Sequence, residues 1–385
     1  MRDRPKRQLA FHNVSARLRN FCIAVSLIAI LNPLTVRAQS IEKGSDWERP
    51  LDPCWSILSR NLTRLLPASD NVGSLFYTET PASIISIAAT AGDRLWVVDL
   101  AGRLFSNPEF SGESLYAGTV AKTEAGNFAR VYRIDAETGL ATAGTPVAIP
   151  LDSLFIQSGD KFAAITKDGR AVFFGFSGLT AAGSLELREV EGAATLDDRF
   201  FAWNKEGLIA QFALDGTGSL RGYAEFTLEG GSSGSFYGYG KRIFAGSADG
   251  FVFAVRSDSG EVLWKSRTGG SIDELYGVEE DLLALSRDNF VYKLSGESGQ
   301  RIWKRKLAGR IVGGVKLDDE HFAFTSIGSN EIAIVRLGDG KLVNSVAVEG
   351  AAYFVSPPLV VRDLLIAVHD KGLSAYGTKS TCGKK

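Results

Sequence analysis

The chain has 385 residues, 45% of them hydrophobic, with 43 Lys/Arg against 44 Asp/Glu and a formal net charge of −1. That apolar content excludes a disordered chain. Three His, three Cys and one Met leave little material for a His-rich metal site or a His-centred catalytic triad.

The first 38 residues read as an export signal. Residues 1–20 are basic and polar, residues 21–36 are almost wholly apolar, and Val36-Arg37-Ala38 forms an A-x-A-like cleavage site before Gln39. The apolar run is short for a spanning helix and contains Asn32-Pro33. An uncleaved signal anchor is the alternative. Cys22 lies at the start of this run and position 39 is Gln, so lipid attachment is not expected. Setting residues 1–38 aside leaves 36 basic and 43 acidic groups, a formal net charge of −7. Such a chain is not built to hold a phosphate backbone, and nucleic acid is not an expected partner. No other apolar stretch is long enough to span a membrane.

Residues 39–82 are expected to form a clasp. Asp52-Pro53 offers a helix cap and a first-turn proline. Trp55, Leu58, Leu62, Leu65 and Leu66 would share one helical face, and Pro67 would end it. Ser74–Thr80 is strand-like and is expected to supply the outermost strand of the last repeat. Cys54 and Cys382 stand near the two ends of the exported chain. In an oxidising compartment they are expected to pair, and the loop-entropy model gives roughly 5 kcal/mol for so long a loop.

From residue 83 the chain repeats. Ala101-Gly102, Asp168-Gly169, Glu206-Gly207, Asp249-Gly250, Asp288-Asn289, Ser329-Asn330 and Lys371-Gly372 are hairpin turns between short apolar runs. From Gly169 onward their second residues are 38, 43, 39, 41 and 42 apart. A second turn follows 9 to 11 residues later, as at Ser259-Gly260 and Ser298-Gly299. Strand–hairpin–strand–hairpin–strand, with a fourth strand ahead of each unit, makes an all-β, closed β-propeller of four-stranded blades. Seven hairpin pairs predict seven blades spanning 83–385. The alternative, eight, requires a degenerate blade within 103–150. The first interval is 67 residues, which predicts an insertion at about 103–127.

Two units carry a recognisable pattern. Ala254, Ser259, Gly260 and Trp264 follow Ala-x-Asp-x-x-Thr-Gly-x-x-x-Trp, as do Ser298, Gly299 and Trp303 in the next unit. Asp135, Thr138 and Gly139 fit its middle with Ala143 at the Trp position, and Asn344 stands there after Gly340. This resembles the tryptophan-docking repeat of the pyrroloquinoline-quinone-type propeller superfamily. The resemblance implies that Trp264 and Trp303 wedge between blades. The chain is similar to the propeller subunit of the outer-membrane β-barrel assembly machine, a non-catalytic scaffold.

That resemblance implies protein binding in the periplasm or outside the cell, with other envelope or secreted proteins as partners and a monomeric chain. No catalytic, cofactor or metal residue is assigned and no cofactor is expected. A quinoprotein dehydrogenase with quinone and Ca²⁺ in the channel is one alternative, but the vicinal Cys pair of many such enzymes is absent. A carbohydrate-binding or carbohydrate-processing propeller is the other. It needs convergent carboxylates or a His base, whereas His321 opens a core-like strand and His369 sits beside a turn. Two places are candidate partner surfaces: Phe110 and Tyr116 in the predicted insertion, and Phe236, Tyr237 and Tyr239 beside Gly-Ser neighbours. The second group fits alternate core positions equally well.

Overall fold

The computed structural model describes residues 46–59, 68–69, 73–150, 152–196, 199–214 and 220–382. They form eight antiparallel sheets, not seven. Blade 1 comprises Ala68–Ser69, Ser74–Tyr77, Ser83–Ala88 and Arg94–Asp99. Blades 3 to 7 each run four consecutive strands, beginning at Leu154, Val190, Ser232, Ile272 and Ile311. Blade 8 takes three strands from Leu359–Val361, Leu364–His369 and Gly372–Gly377. Its fourth is Asp52–Leu58, from the other end of the chain.

The additional blade, blade 2 (Arg103–Ile149), takes in the region expected to be an insertion. Ser114–Thr123 and Gly126–Asp135 pair over ten residues each. Its flanking strands are broken in two, into Arg103–Leu104 with Glu109–Ser111 and Ala141–Ala143 with Val147–Ile149. Pro108 and Pro146 lie in the breaks, where a missing N–H cannot continue a ladder. Ala101-Gly102 is not a hairpin but the link from blade 1 to blade 2. The true turns between second and third strands in those blades are Thr78–Ala82 and Glu124-Ala125, and neither contains Asp-Gly.

Ring closure also differs from expectation. Asp52–Leu58 is a strand, not a helix, and it pairs with Gly372–Gly377 through a bulge at Cys54. Pro53 lies on this edge strand, where proline is tolerated. Leu62, Leu65, Leu66 and Pro67 lie outside the described residues. Ser74–Tyr77 belongs to blade 1 rather than to the last blade. A Cys54–Cys382 disulfide joins the closing strand to the C-terminal turn.

Each seam between neighbouring blades holds one buried apolar cluster. Blade 6 meets blade 7 through Leu283, Leu285, Phe322 and Phe324, and blade 3 meets blade 4 through Phe173, Phe200 and Phe212. Middle strands bury both faces, as in His321–Ser326 and Leu364–His369, and so read as continuous apolar runs.

Candidate protein-docking site: the seams between blades

Four seams share one lock. Trp55, Trp96, Trp264 and Trp303 stand on the outermost strands of blades 8, 1, 5 and 6. Each donates its indole N–H to a carbonyl of the next blade: Ala89 at 2.7 Å, Ala136 at 3.0 Å, Gly296 at 3.2 Å and Leu337 at 2.9 Å. Three residues after each carbonyl comes a turn glycine, Gly92, Gly139, Gly299 or Gly340, with φ between +69° and +73°. A Cβ there would lie 2.5–2.9 Å from the ring. Glycine is required twice over, for the left-handed backbone and for the flat approach of the indole.

The docking residues expected from sequence fall into this system with one shift of partner. Trp264 does not rest on its own turn. It rests on Gly299 of the next blade, while Gly260 faces the Glu225 carbonyl of the preceding one. Ala254 is fully buried and pairs with Trp264 across the sheet. The Ser259 and Ser298 hydroxyls accept from the Glu261 and Gln300 N–H groups, local turn bonds of the kind serine favours. Trp55 and Trp96 escaped the sequence reading. The spacing Gly92-x-x-x-Trp96 carries the signal for one. Trp55 carries none, because its preceding residues belong to no repeat.

The seam between blades 7 and 8 is closed differently. Asn344 replaces the docking tryptophan, and its amide donates to the carbonyls of Trp47 (3.0 Å) and Arg49 (2.6 Å). The short turn Asp46–Glu48 lies there, with Trp47 buried among Ile332, Val346, Leu365 and Tyr376. Glu48 accepts from Arg336 at 2.7 Å and meets His321 Nε2 at 3.1 Å. Arg336 first, then His321, holds the Glu48 carboxyl below the usual range. Asp318 meets the other ring nitrogen of His321 at 2.9 Å. His321 is thus a fully buried structural bridge.

Trp203 fills the seam between blades 4 and 5 from the inside, against Gly192 and Gly234. The six tryptophans of the chain therefore serve six different seams. Seam 2/3 has none, but it is dense in other aromatics. Phe105, Phe155, Phe162 and Phe174 cluster there, and the Arg133 guanidinium lies 5.0 Å above the Phe176 ring. The Thr145 N–H also donates to the Phe176 carbonyl.

Seam 3/4 is packed inside by Phe173, Phe200 and Phe212, whose ring centres are 5.3–5.9 Å apart. No tryptophan stands on its outer wall among the described residues. Ala181 stands at the position of the docking tryptophans, one residue past the bulge of its strand, and is half-buried against this cluster. A groove of about 480 Å³ runs between Ser184–Glu186 of blade 3 and Gln211, Gly222 and Glu225 of blade 4. A second, of about 710 Å³, opens on one face beside Thr180, Lys161 and Arg199. A third, of about 1060 Å³, opens beside Asp152, Lys167, Arg188 and Glu191.

The residues expected at a partner surface lie mostly elsewhere in role. Phe110 packs edge-on against Phe76, and Tyr116 joins the core of seam 2/3. Phe236 stacks on Phe201 and Tyr237 on Phe244. Tyr239 is 47% exposed. These five are not brought into one patch.

Among the described residues no three His, Cys, Asp or Glu side chains gather as a ligand set. Glu274 is the deeply placed carboxyl on an inner strand. Burial raises its pKa, the Tyr276 hydroxyl donates to it, and its neighbour Asp273 turns to Arg287 and Arg310. His369 bonds Ser374 at 3.0 Å, and burial lowers its pKa.

Comparison with known proteins agrees with the repeat. A family model described as outer membrane protein assembly factor BamB matches residues 36–266, more than half of the chain. No curated protein matches. Among solved structures, BamB from Moraxella catarrhalis superposes with a TM-score of 0.62 at 15% identity, covering 85% of this chain and 100% of that one. The computationally designed Ika8 protein gives 0.69 at 12% identity, covering 84% and 99%. Saccharomyces cerevisiae Sqt1 gives 0.67 at 10% identity, covering 86% and 99%. At such identities these likenesses speak for the fold, whereas the family match speaks for descent: the chain belongs to the family of the outer membrane protein assembly factor BamB, built of pyrroloquinoline-quinone-type repeats.

Proposed function

We propose that this protein is an exported, non-catalytic propeller that binds other proteins in the cell envelope as a monomeric scaffold. The observation that carries the reading is the ring itself: eight blades, six seams each served by a tryptophan, and both ends tied by Cys54–Cys382. Such a ring holds an outer wall rigid and offers edge strands and grooves as binding surface. Family membership supports the same role. Residues 1–38 serve as a cleaved export signal on this reading. The disulfide suits an oxidising compartment, and no helix among the described residues is long and apolar enough to cross a membrane.

The test is in-cell cross-linking of the tagged full-length chain, followed by identification of what is joined to it. A recurrent envelope protein, absent from a control propeller, is the expected result. Recovery of none overturns the scaffold reading. Mass analysis of the same material should find an N-terminus at Gln39, and an intact Met1 would overturn signal cleavage.

A further inference from the structure

We propose that the outer wall of seam 5/6 receives an extended acidic segment of a partner protein, with Asp or Glu at alternate residues, along the cations Arg301, Lys304 and Lys306. The inference rests on the scaffold reading and names its surface. Three observations carry it.

The first is a column of cations in register. Arg301–Lys306 is the outermost strand of blade 6. Arg301 pairs with Leu294, Lys304 with Tyr292 and Lys306 with Phe290. Paired residues share a face of the sheet, and Leu294, Tyr292 and Phe290 pack in or against the core of seam 5/6. The three cations therefore stand on that side, at every second pairing position, about 7 Å apart along the strand. Trp303 and Arg305 take the opposite face. Trp303 packs in seam 6/7, and Arg305 donates to the Gly340 carbonyl.

The second is that the column is not neutralised. Arg301, Lys304 and Lys306 are exposed, and none forms an ion pair among the described residues. The Lys304 ammonium lies 4.8 Å from the centre of the half-buried Phe290 ring, which holds it against the wall. Asp288, two residues before Phe290, is committed to the Phe290 N–H and the Tyr292 hydroxyl. At the positions of Lys304 and Lys306, blade 1 holds Val97 and Asp99, blade 3 Ala182 and Ser184, and blade 7 Ser345 and Ala347. Edge lysines discourage strand pairing, but that role asks for neither a ring beneath them nor a register. The chain has an acidic excess after residue 38, so the column also runs against its overall charge.

The third is what fills the same place one blade earlier. On blade 5, Lys265 and Arg267 stand over the Phe251 ring at 5.2 and 5.5 Å, with Arg267 paired to Phe251 as Lys306 is to Phe290. There a carboxylate from the link between blades 4 and 5 meets the cation: Glu229 accepts from Lys265 at 2.5 Å. The Leu228 N–H donates to the Gly207 carbonyl, and the Thr268 N–H to the Gly250 carbonyl. The residue equivalent to Glu229 in the link to blade 6 is therefore Gly269, which has no carboxylate to offer Lys304. A carboxylate is the occupant this motif already accepts in cis, and on blade 6 the partner supplies it.

The test titrates a short fluorescent peptide, with Asp or Glu at alternate residues, into the full-length protein at low salt. It should bind more tightly than a peptide of the same composition with its acids in one block. The double variant Lys304→Glu, Lys306→Glu should weaken binding about tenfold or more with its thermal midpoint unchanged. Lys265→Gln, on blade 5, should leave binding unchanged. A zero-length carboxyl-to-amine cross-linker should join the peptide to Lys304 or Lys306. No binding, equal affinity for the double variant, or coupling confined to other lysines would overturn the assignment. Binding of phosphatidylglycerol vesicles but not of the peptide, lost in the double variant, would also overturn it, by making a lipid surface the occupant. Envelope cross-linking separates the two readings. A partner kept by the double variant leaves the scaffold standing and removes this wall.

Discussion

The arc from blade 5 round to blade 2 and the arc through blades 2, 3 and 4 are built on the same strand pattern but closed by different means. In the first, an indole from one blade lies on a glycine of the next, or Trp47 takes its place. In the second, the docking positions hold Ala143, Ala181 and Ala224. Core phenylalanines with Ile156, Ile165, Leu187 and Val190 hold blade 3 to blade 4, helped by the Thr195 hydroxyl, which donates to the Gln157 carbonyl at 3.0 Å. Inner packing is enough to keep a blade in the ring. The outer lock is a separate device.

The comparison can be broken most severely at the clasp. Cys54→Ser should lower unfolding free energy by about 2–5 kcal/mol, because the bond closes a very long loop. Denaturant titration under oxidising conditions measures it, and an unchanged midpoint would mean that the strand Asp52–Leu58 holds without its bond. Next comes Trp264→Ala, which removes a lock and its hydrogen bond. It should cost about 3 kcal/mol, with opened hydrogen exchange in blades 5 and 6. Phe176→Ala should open seam 2/3 instead.

Gly299→Ala should cost about 1–2 kcal/mol through positive φ and a collision with Trp264, while Gly222→Ala should stay within about 0.5 kcal/mol of wild type. Equal costs would erase the distinction between the arcs. Two buried groups in the locked arc titrate with opposite sign. Burial raises the Glu274 pKa, so the unfolded chain releases that proton first and stability is lost as pH rises through the raised value. Glu274→Gln should therefore gain on wild type above about pH 5 and match it near pH 4. Burial lowers the His369 pKa, so the unfolded chain takes that proton first as pH falls below about 6.5, and stability is lost on acidification. His369→Gln should flatten that acid limb of the denaturation midpoint.

Much of this architecture is legible in the chain, and the misreadings have physical causes. Turns ending in Gly or Asn from Gly169 onward mark the blades, and positive φ, adopted at Gly169, Gly207, Gly250, Asn289 and Gly372, is a local demand met by few residues. Blade 2 hides because its turn is Glu124-Ala125 and its edge strands are broken at Pro108 and Pro146. Trp55 and Leu58 share a helical spacing, yet the segment is a strand, because pairing with Gly372–Gly377 outweighs local preference.

Local chemistry alone determined the four-stranded repeat, the turn glycines and the pairing of the only two cysteines after residue 38. Tertiary structure decided the phase of the repeats, the number of blades and the strand that closes the ring. The reason is that each lock joins a tryptophan to a glycine of another blade, 35 to 43 residues away, so that neither residue has its partner until the blades lie side by side.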